Sequence, residues 1–342
     1  MKVGYICWNT YSDPRAWTAF TPARGLYDSE IGQKMLANAL EQARSADALG
    51  FDYLTVSEHH ATPLMCTPNA SIMAGALTQI AKNAALAWLG PIVSINNPVR
   101  VAEEIAMLDQ MTGGRLVVFL LRGTPNELVV YNNIDPAQSK AITQEASLLI
   151  RKALTEAEPF AWKGEHFDFP RVSVWPGATQ KPHPPLYASG MSPDSAVFAG
   201  RNRFRLAISF FPRPMVAQLT KLYRDECAAA GWTPSGDDIL YRAFIAVGET
   251  DEEAAAMGAR FMPSTRVAGA PPAPDPNVGP GFGALQFCGS PDTVVAQIEE
   301  FHAATGAGIL DLAFGAGGLG QDGTLASLRR FAERVLPRIR RL

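Results

Sequence analysis

The chain has 342 residues, of which 47% are hydrophobic and 18% are charged, and its formal net charge is −3. This composition is typical of a folded globular protein and excludes an intrinsically disordered chain. The small negative net charge argues against partners that need a basic surface, so we expect neither nucleic-acid binding nor membrane binding.

Strand-like and helix-like segments alternate along the whole chain. The strand-like segments lie at 3–7, 51–56, 84–95, 116–121, 186–189, 205–209, 240–247 and 309–314. The helix-like segments lie at 31–49, 68–82, 140–156, 215–230, 291–304 and 325–336, with others beginning at residues 98, 192 and 250. A doubly wound sheet also alternates in this way, but eight strand–helix repeats over this length favour a closed (β/α)₈ TIM barrel. We predict one barrel domain over residues 1–342.

Two segments interrupt the alternation. Residues 158–185 are rich in proline and aromatic residues, and residues 261–287 are dominated by proline, glycine and alanine. Loops of this length inside a compact domain are usually functional or disordered. We expect the second segment to be a mobile loop, although a surface insertion fits its composition equally well.

The cysteines and the first residues bear on location and metal binding. The four cysteines, Cys7, Cys66, Cys227 and Cys288, are far apart and form no Cys-x-x-Cys motif, which argues against disulfides and zinc. The chain turns polar at Asn9 before any long apolar run, so we predict no signal peptide. We expect free thiols, no metal site and a cytoplasmic location.

Catalytic groups of TIM barrels lie at the carboxyl ends of the strands. Glu58, His59 and His60 follow the second predicted strand. Neighbouring side chains on an extended chain point in opposite directions, so the two imidazoles form a poor chelate for one metal ion. Histidine titrates near neutral pH, and an inward His59 therefore suits acid–base chemistry; a packing role fits the sequence equally well.

Two further strand ends carry groups suited to an anion. Arg122 follows strand 116–121, and a guanidinium can hold a phosphate or carboxylate through two parallel hydrogen bonds. Ser189, Ser192 and Ser195 lie where the next strand runs into a helix, whose free N–H groups favour an anion. The alternatives are an ion pair of Arg122 with a loop carboxylate and simple helix capping by Ser192. Together the two segments indicate a phosphorylated ligand.

Several short motifs follow one another along nearly the whole chain. They are Leu49-Gly50-Phe51-Asp52, Glu58-His59-His60, Asn97-Pro98-Val99-Arg100, Leu108-Asp109-Gln110-Met111, Arg122-Gly123, Ser192-Pro193-Asp194-Ser195 and Gly289-Ser290-Pro291-Asp292. Their order and spacing resemble the flavin-dependent luciferase-like monooxygenases, the superfamily of the bacterial luciferase α subunit. The resemblance implies the barrel already predicted from the alternation.

The resemblance also assigns roles to single residues. It makes His59 the active-site histidine beside the flavin. It makes Arg122, Ser192 and Ser195 contacts of the flavin phosphate, and we include Ser189 among the cofactor-binding residues. Gly90 falls where the backbone passes the isoalloxazine ring, often with an unusual peptide bond just before it. Residues 261–287 fall at the mobile active-site loop of the family.

The activity implied is that of a two-component monooxygenase. Reduced FMN, supplied by a separate flavin reductase, would react with dioxygen to a 4a-peroxyflavin, and one oxygen atom would enter a small organic substrate. A homodimer or a higher homo-oligomer is expected. Two positions depart from the family: Leu121 stands where bacterial luciferase has a reactive cysteine, and Phe119 replaces a glycine common in this strand.

Three other functions are compatible with a barrel of this kind. A deazaflavin-dependent dehydrogenase would need no dioxygen. A non-catalytic relative would bind flavin without consuming dioxygen. A metal-dependent hydrolase would need a metal site, against which the geometry of His59 and His60 argues.

Overall fold

The computed structural model describes residues 1–19, 21–260, 283–314 and 318–342. The strands within these ranges are β1 (Lys2–Ile6), β2 (Tyr53–Ser57), β3 (Ala85–Ile92), β4 (Leu116–Leu121), β5 (Phe160–Lys163), β6 (Asp168–Val172), β7 (Leu186–Ser189), β8 (Arg205–Ser209), β9 (Ile239–Val247), β10 (Leu285–Gly289) and β11 (Ile309–Phe314).

Eight of these strands form a closed parallel ring in the order β1-β2-β3-β4-β7-β8-β9-β11. The pairing of β8 with β9 joins the two halves, and the pairing of β11 with β1 completes the circle. Both faces of such strands are covered, the outer one by helices and the inner one by the other strands, so they need nearly continuous apolar sequence. All nine residues of β9, for example, are buried. The predicted TIM barrel is confirmed.

Helices connect the strands and surround the ring. They are α1 (Ser29–Ala48), α2 (Ala70–Thr78), α3 (Pro98–Met111), α4 (Pro125–Tyr131), α5 (Ser139–Thr155), α6 (Pro193–Arg201), α7 (Arg213–Ala229), α8 (Asp251–Gly258), α9 (Pro291–Thr305), α10 (Gly320–Arg334) and α11 (Leu336–Ile339). Local capping determines where several of them begin. Asn97 accepts a hydrogen bond from the backbone N–H of Val99 at 2.9 Å, and Pro98 occupies the first turn of α3.

Residues 158–185 contain a folded ribbon where the sequence indicated only an interruption. Strands β5 and β6 pair antiparallel in this segment. Glu145 of α5 ties the ribbon to the barrel, because its carboxylate accepts hydrogen bonds from Trp162 Nε1 at 3.0 Å and from the backbone N–H groups of Glu165 and His166 at 3.0 and 2.9 Å.

The predicted loop 261–287 is too long at its carboxyl end. Residues 261–282 lie outside the described residues, whereas Leu285–Gly289 form β10, which pairs in parallel with the end of β9. Phe287 is buried, and its ring contacts those of Tyr241 and Phe301 at centroid distances of 6.4 and 5.8 Å. Burial of this ring explains why a strand forms here despite the glycine-rich sequence before it.

A charged pair lies inside the barrel. Arg242 of β9 donates from Nε and Nη2 to one carboxylate oxygen of Asp311 on β11, at 2.9 and 2.6 Å. The hydroxyl of Thr55 donates to the other oxygen at 2.8 Å, and Arg242 Nη1 donates to Ser209 Oγ at 3.2 Å. Burial lowers the pKa of Arg242, and the charge of Asp311 opposes that shift. The hydrogen bonds around both ions offset part of the cost of burying them.

Within the described ranges, no helix is both long enough and apolar enough to cross a bilayer.

Candidate active site

The strands that precede the predicted site residues are neighbours in the ring. His59 follows β2, Gly90 lies in β3, Arg122 follows β4 and Ser189 ends β7. Because β2, β3, β4 and β7 pair in that order, these residues lie along one continuous half of the carboxyl rim of the barrel. Ser192 and Ser195 extend this half at the start of α6.

His59 forms an ion pair with Glu127 of α4. Its Nδ1 lies 3.1 Å from Oε1 of Glu127, and its side chain is 30% exposed whereas that of Glu127 is 2% exposed. The other carboxylate oxygen accepts hydrogen bonds from the backbone N–H and the hydroxyl of Thr124, the N-cap of α4. A carboxylate at Nδ1 fixes the ring orientation and leaves Nε2, which has no partner within the described ranges, available to a ligand.

The pKa of Glu127 is strongly lowered. Burial by itself would raise it, but the hydrogen bond and charge of His59, together with the hydrogen bonds from Thr124, outweigh burial and lower the pKa to about 2. Glu127 is therefore a permanent anion near neutral pH. Its contact with Nδ1 of His59 holds the start of α4 against the end of β2.

Glu127 should make stability depend on pH in the acid range. A carboxyl group whose pKa is lower in the folded than in the unfolded chain stabilises the fold above its ordinary value of 4.5, and this contribution is lost as the pH falls towards 2. We expect the free energy of unfolding of the Glu127→Gln variant to fall less steeply from pH 4.5 to pH 2 than that of the parent. Urea unfolding at a series of pH values measures both slopes.

The matched control for this prediction is Glu333→Gln, which removes an exposed carboxyl group on α10. It should leave the acid slope at the parent value. Identical slopes for the parent and Glu127→Gln would show that Glu127 is not held as an anion in the folded protein.

His60 lies on the other side of the chain from His59 and is buried. Its Nε2 lies 2.9 Å from Oε1 of Glu58, and the hydroxyl of Tyr131 lies 3.3 Å from its Nδ1. The second oxygen of Glu58 accepts the backbone N–H of Ile92 at 3.4 Å. His60 thus connects the end of β2 to α4 and, through Glu58, to β3. No group of three or more potential metal ligands occurs in the described parts of the chain.

Gly90 stands at a close approach of two strands. Its φ is +138°, and a Cβ added there would lie 3.1 Å from Cβ of Glu58. A side chain here would be strained by the backbone conformation and would crowd Glu58. The expectation of an unusual peptide bond just before Gly90 is wrong by one position: the cis bond joins Gly90 to Pro91, where only proline makes the cis form common.

Arg122 has a guanidinium that is partly buried and unsatisfied. Only its backbone carbonyl is engaged, as the acceptor of a 2.6 Å hydrogen bond from Ser94 Oγ. In the described part of the chain its side chain makes no hydrogen bond or ion pair, so the alternative of an ion pair with a loop carboxylate is not observed there. A partly desolvated cation without a counter-ion is suited to an anionic ligand.

The serines follow the strand that is the neighbour of the one before Arg122. Register pairs Leu120 of β4 with Ala188 of β7, so Arg122 and Ser189 belong to adjacent strand ends on the same rim. Ser192 caps α6: its Oγ accepts the backbone N–H of Ser195 at 3.3 Å. Ser192 therefore does cap α6, as the alternative interpretation of this segment expected. The Oγ atoms of Ser192 and Ser195 are also 2.9 Å apart, which forms a hydroxyl pair at a helix start.

Phe119 and Leu121, the two departures from the family, point into the barrel. Phe119 is fully buried, and its ring stacks on Tyr187 at a centroid distance of 4.7 Å while the guanidinium of Arg242 lies 5.7 Å away. Leu121 packs against the same internal cluster. Phe119 thus fills the barrel interior below the rim.

Sequence reasoning missed Glu127 and the aromatic residues Trp8, Phe210 and Phe244 at the rim. A signal for Glu127 was present, because Thr124-Pro125-Asn126-Glu127 has the form of a capping box, in which residues three apart satisfy each other's backbone. The aromatic residues carry no local signal, since they come from three strands that are distant in sequence.

Comparison with known proteins identifies the family of the chain. The profile of the luciferase-like monooxygenase family matches residues 16–308. Among curated relatives, the uncharacterized protein y4wF of Sinorhizobium fredii is 30% identical over 60% of both chains. The alkanal monooxygenase alpha chain of Photorhabdus luminescens is 28% identical over 49% of this chain and 46% of the relative. The oxygenase component of the flavin-dependent trigonelline monooxygenase of Acinetobacter baylyi is 23% identical over 54% and 52%. The chain thus spans about half to three fifths of the length of these relatives.

Solved structures share the whole fold at lower sequence identity. Monooxygenase RslO1 from Streptomyces bottropensis has a TM-score of 0.79 at 23% identity, covering 99% of this chain and 100% of that one. The FMN complex of the oxygenating constituent of 3,6-diketocamphane monooxygenase from Pseudomonas putida has a TM-score of 0.75 at 20% identity, with 99% and 98% covered. An F420-dependent secondary alcohol dehydrogenase has a TM-score of 0.74 at 21% identity, with 99% and 98% covered. The match over residues 16–308, supported by this barrel, shows that the chain belongs to the luciferase-like monooxygenase family.

Proposed function

We propose that this chain is the oxygenase component of a two-component monooxygenase, which uses reduced FMN and dioxygen to insert one oxygen atom into a small organic substrate. The observation that carries the proposal is that two groups suited to a phosphate follow adjacent strands: Arg122, whose side chain makes no hydrogen bond or ion pair in the described part of the chain, follows β4, and the hydroxyl pair of Ser192 and Ser195 follows β7. These groups fit a terminal phosphate, which takes charge-assisted hydrogen bonds from a guanidinium and ordinary ones from hydroxyls.

The rest of this rim half fits a flat ring system. Gly90, on the strand β3 between the strands that precede His59 and Arg122, would lie beside the ring, as the family resemblance implies. His59, held by Glu127 at Nδ1, has Nε2 free to donate a hydrogen bond or to move a proton at the reacting atoms. Reduced FMN, when bound, would supply the electrons that activate dioxygen. The contribution of the chain would be to position the ring, donate from His59 and exclude water.

The proposal also covers the source of reduced FMN, the oligomeric state and the cellular location. A separate flavin reductase would supply reduced FMN; in support, the Acinetobacter baylyi relative is named as the oxygenase component of a flavin-dependent monooxygenase. The catalytic unit would be a homodimer or a higher homo-oligomer. All four cysteines are free, which is compatible with a reducing cytoplasm.

Arg122→Ala tests the phosphate contact directly. We expect this variant to lose about 1.5–3 kcal/mol of binding free energy for FMN, the range for hydrogen bonds to charged groups, while riboflavin, which lacks the phosphate, loses much less. Ser195→Ala should show the same selectivity more weakly. Fluorescence titration of both ligands against each variant measures the difference.

The same titrations include a control variant and distinguish the alternative functions. Arg44→Ala removes an equal charge from an exposed position on α1 and should affect neither ligand. Equal losses of FMN and riboflavin in Arg122→Ala would contradict a phosphate contact. Binding of F420 in preference to FMN would instead favour a deazaflavin-dependent dehydrogenase. Flavin binding without dioxygen consumption in the presence of any substrate would favour a non-catalytic relative.

A further inference from the structure

A cleft with a volume of about 460 Å³ lies between α5, the ribbon of β5 and β6, and the segment that leads into β7. This volume is within the range of small-molecule sites, roughly 300–1,000 Å³. Three of its described lining residues are basic and none is acidic; the lining is formed by Leu148, Arg151, Lys152, Thr155, Trp162, Pro182 and His183. We call this cleft the basic cleft.

The basic cleft lies at the amino ends of the barrel strands. Helix α5 leads away from the carboxyl rim, so Thr155, its last residue, lies at the opposite end. His183 comes shortly before β7, and Arg151 Nη1 donates to the carbonyl of Asn202, shortly before β8. Because catalytic groups of TIM barrels lie at the carboxyl ends, the basic cleft is separate from the proposed flavin site.

The walls of the basic cleft are held in position by the fold. Leu148 and Lys152 are four residues apart on α5, as are Arg151 and Thr155, and this spacing places all four side chains on one side of the helix. The indole of Trp162 is fixed by its 3.0 Å hydrogen bond from Nε1 to Glu145. The ribbon therefore supplies an aromatic ring beside the basic helix face.

The two permanent cations of the basic cleft have no carboxylate partner in the described part of the chain. Arg151 is half-buried and stacks over the ring of Phe204 at 4.7 Å, and a single one of its N–H groups is engaged, by the carbonyl of Asn202. Burial lowers the pKa of Arg151. The Nζ of Lys152 lies 4.6 Å from the ring centroid of Phe160. Partly desolvated cations without counter-ions are suited to an anionic ligand.

His183 adds a third group that can contact an anion. Its Nδ1 lies 2.7 Å from the carbonyl oxygen of Pro184, which can only accept, so Nδ1 carries the proton and Nε2 has no partner in the described ranges. Burial lowers the pKa of His183, and the charges of Arg151 and Arg205 lower it further, while the carbonyl of Pro184 opposes the shift. The surroundings of His183 are therefore cationic.

The positive character of the basic cleft is local. The chain as a whole has a net charge of −3. Glu145, the carboxylate nearest to the cleft on this side of α5, is not part of the lining, and its oxygens already accept N–H groups from Trp162, Glu165, His166 and Phe167. It is thus engaged with the ribbon and does not pair with Arg151 or Lys152.

We propose that the basic cleft is a second ligand site, which takes a small phosphate monoester with a planar aromatic ring. Arg151 and Lys152 match the two negative charges of the phosphate, and His183 and Thr155 offer further polar contacts. Trp162 and Leu148 supply the apolar surface against which the ring packs.

Four probes test the inference through a signal that belongs to the basic cleft. They are 1-naphthyl phosphate, 1-naphthoate with a single charge, 1-naphthalenemethanol without charge, and inorganic phosphate without a ring. The full chain is labelled with ¹⁵N-tryptophan, and the indole N–H resonance of Trp162 is identified by its absence in Trp162→Phe. We expect 1-naphthyl phosphate to shift this resonance and the other three probes to bind at least about tenfold more weakly, since each lacks charge or apolar surface.

Charge-removing variants show whether the basic residues hold the phosphate. Arg151→Gln should raise the dissociation constant of 1-naphthyl phosphate about tenfold or more, the effect of losing a hydrogen bond to a charged group. Lys152→Gln should raise it roughly two- to fivefold, because this ammonium is less buried. Both variants should leave 1-naphthalenemethanol within about twofold. The matched control is Lys34→Gln, which removes an exposed charge from α1 and should change none of these constants.

Arg122→Ala distinguishes this site from the proposed flavin site. The Trp162 titration with 1-naphthyl phosphate should be unchanged in this variant, because Arg122 lies at the other end of the barrel. Loss of the shift in Arg122→Ala would show that the ligand binds at the flavin site instead. If Arg151→Gln does not fold, Lys152→Gln and the wild-type probe series decide the matter.

Several outcomes would overturn the inference. Absence of any Trp162 shift at millimolar 1-naphthyl phosphate would show that the basic cleft holds only solvated side chains. Equal binding of 1-naphthalenemethanol would show that charge is not recognised, and equal binding of 1-naphthoate or inorganic phosphate would show that the site does not select an aromatic dianion. Unchanged constants in both charge-removing variants would show that Arg151 and Lys152 do not contact the ligand.

Discussion

His59→Ala is expected to slow formation of oxygenated product by roughly 10²–10⁴-fold, the usual contribution of one positioned general acid or base. The variant should still bind FMN with little loss, because the proposed phosphate contacts lie on β4, β7 and α6. Reduced flavin should still be oxidised by dioxygen, and the oxygen missing from product should appear as hydrogen peroxide. The measurement is ¹⁸O incorporation from ¹⁸O₂ into those members of a panel of small organic compounds that the wild type oxygenates, with hydrogen peroxide determined in parallel for each FMN oxidised.

His60→Ala is the natural comparison, because the two residues are adjacent and chemically identical. His60 is buried between Glu58 and Tyr131, so its loss should lower stability while the product yield per FMN oxidised stays near the wild-type value. Glu127→Gln should lie between the two variants in product yield, because His59 would keep its imidazole and lose its anionic partner. A normal product yield in His59→Ala would refute the assigned role.

Asp311→Ala is expected to produce the largest loss of stability among these variants. Removing one partner of a buried ion pair leaves the other charge unpaired, which typically costs about 3–5 kcal/mol. Here the guanidinium of Arg242 would be left with Ser209 as its neutral partner inside the barrel. The free energy of unfolding from urea titration at neutral pH measures the loss.

Two controls distinguish the cost of leaving a buried charge unpaired from the cost of losing any salt bridge. Asp225→Ala breaks the exposed pair of Asp225 with Lys221 on α7 and should cost no more than about 1 kcal/mol. The double variant Arg242→Met/Asp311→Leu removes both buried charges and should be more stable than Asp311→Ala alone, since apolar residues can replace such a pair with little loss. A loss in Asp311→Ala no larger than in Asp225→Ala would contradict the prediction.

The sequence by itself determined the barrel. Strands 116–121, 186–189, 205–209 and 309–314 were predicted with the boundaries that the structure has, because the middle of each strand is buried on both faces and is therefore mostly apolar. The capping candidate Ser192 marked where α6 begins, because its hydrogen bond reaches only three residues along the chain. The grouping of Arg122 and the serines on one rim half also followed from the sequence, since the ends of neighbouring parallel strands share one edge.

Only the tertiary structure decided which side chains meet. His59 and Glu127 are 68 residues apart, and Arg242 and Asp311 are 69 apart, so no local pattern could reveal either pair. The rings of Trp8, Phe210 and Phe244 also meet from distant segments. The strand β10 was missed because its formation depends on burial of Phe287 against rings from β9 and α9, while the preceding sequence is typical of a loop. Contacts between distant segments depend on strand order and register, which the closing of the barrel fixes and the alternation of local segments does not.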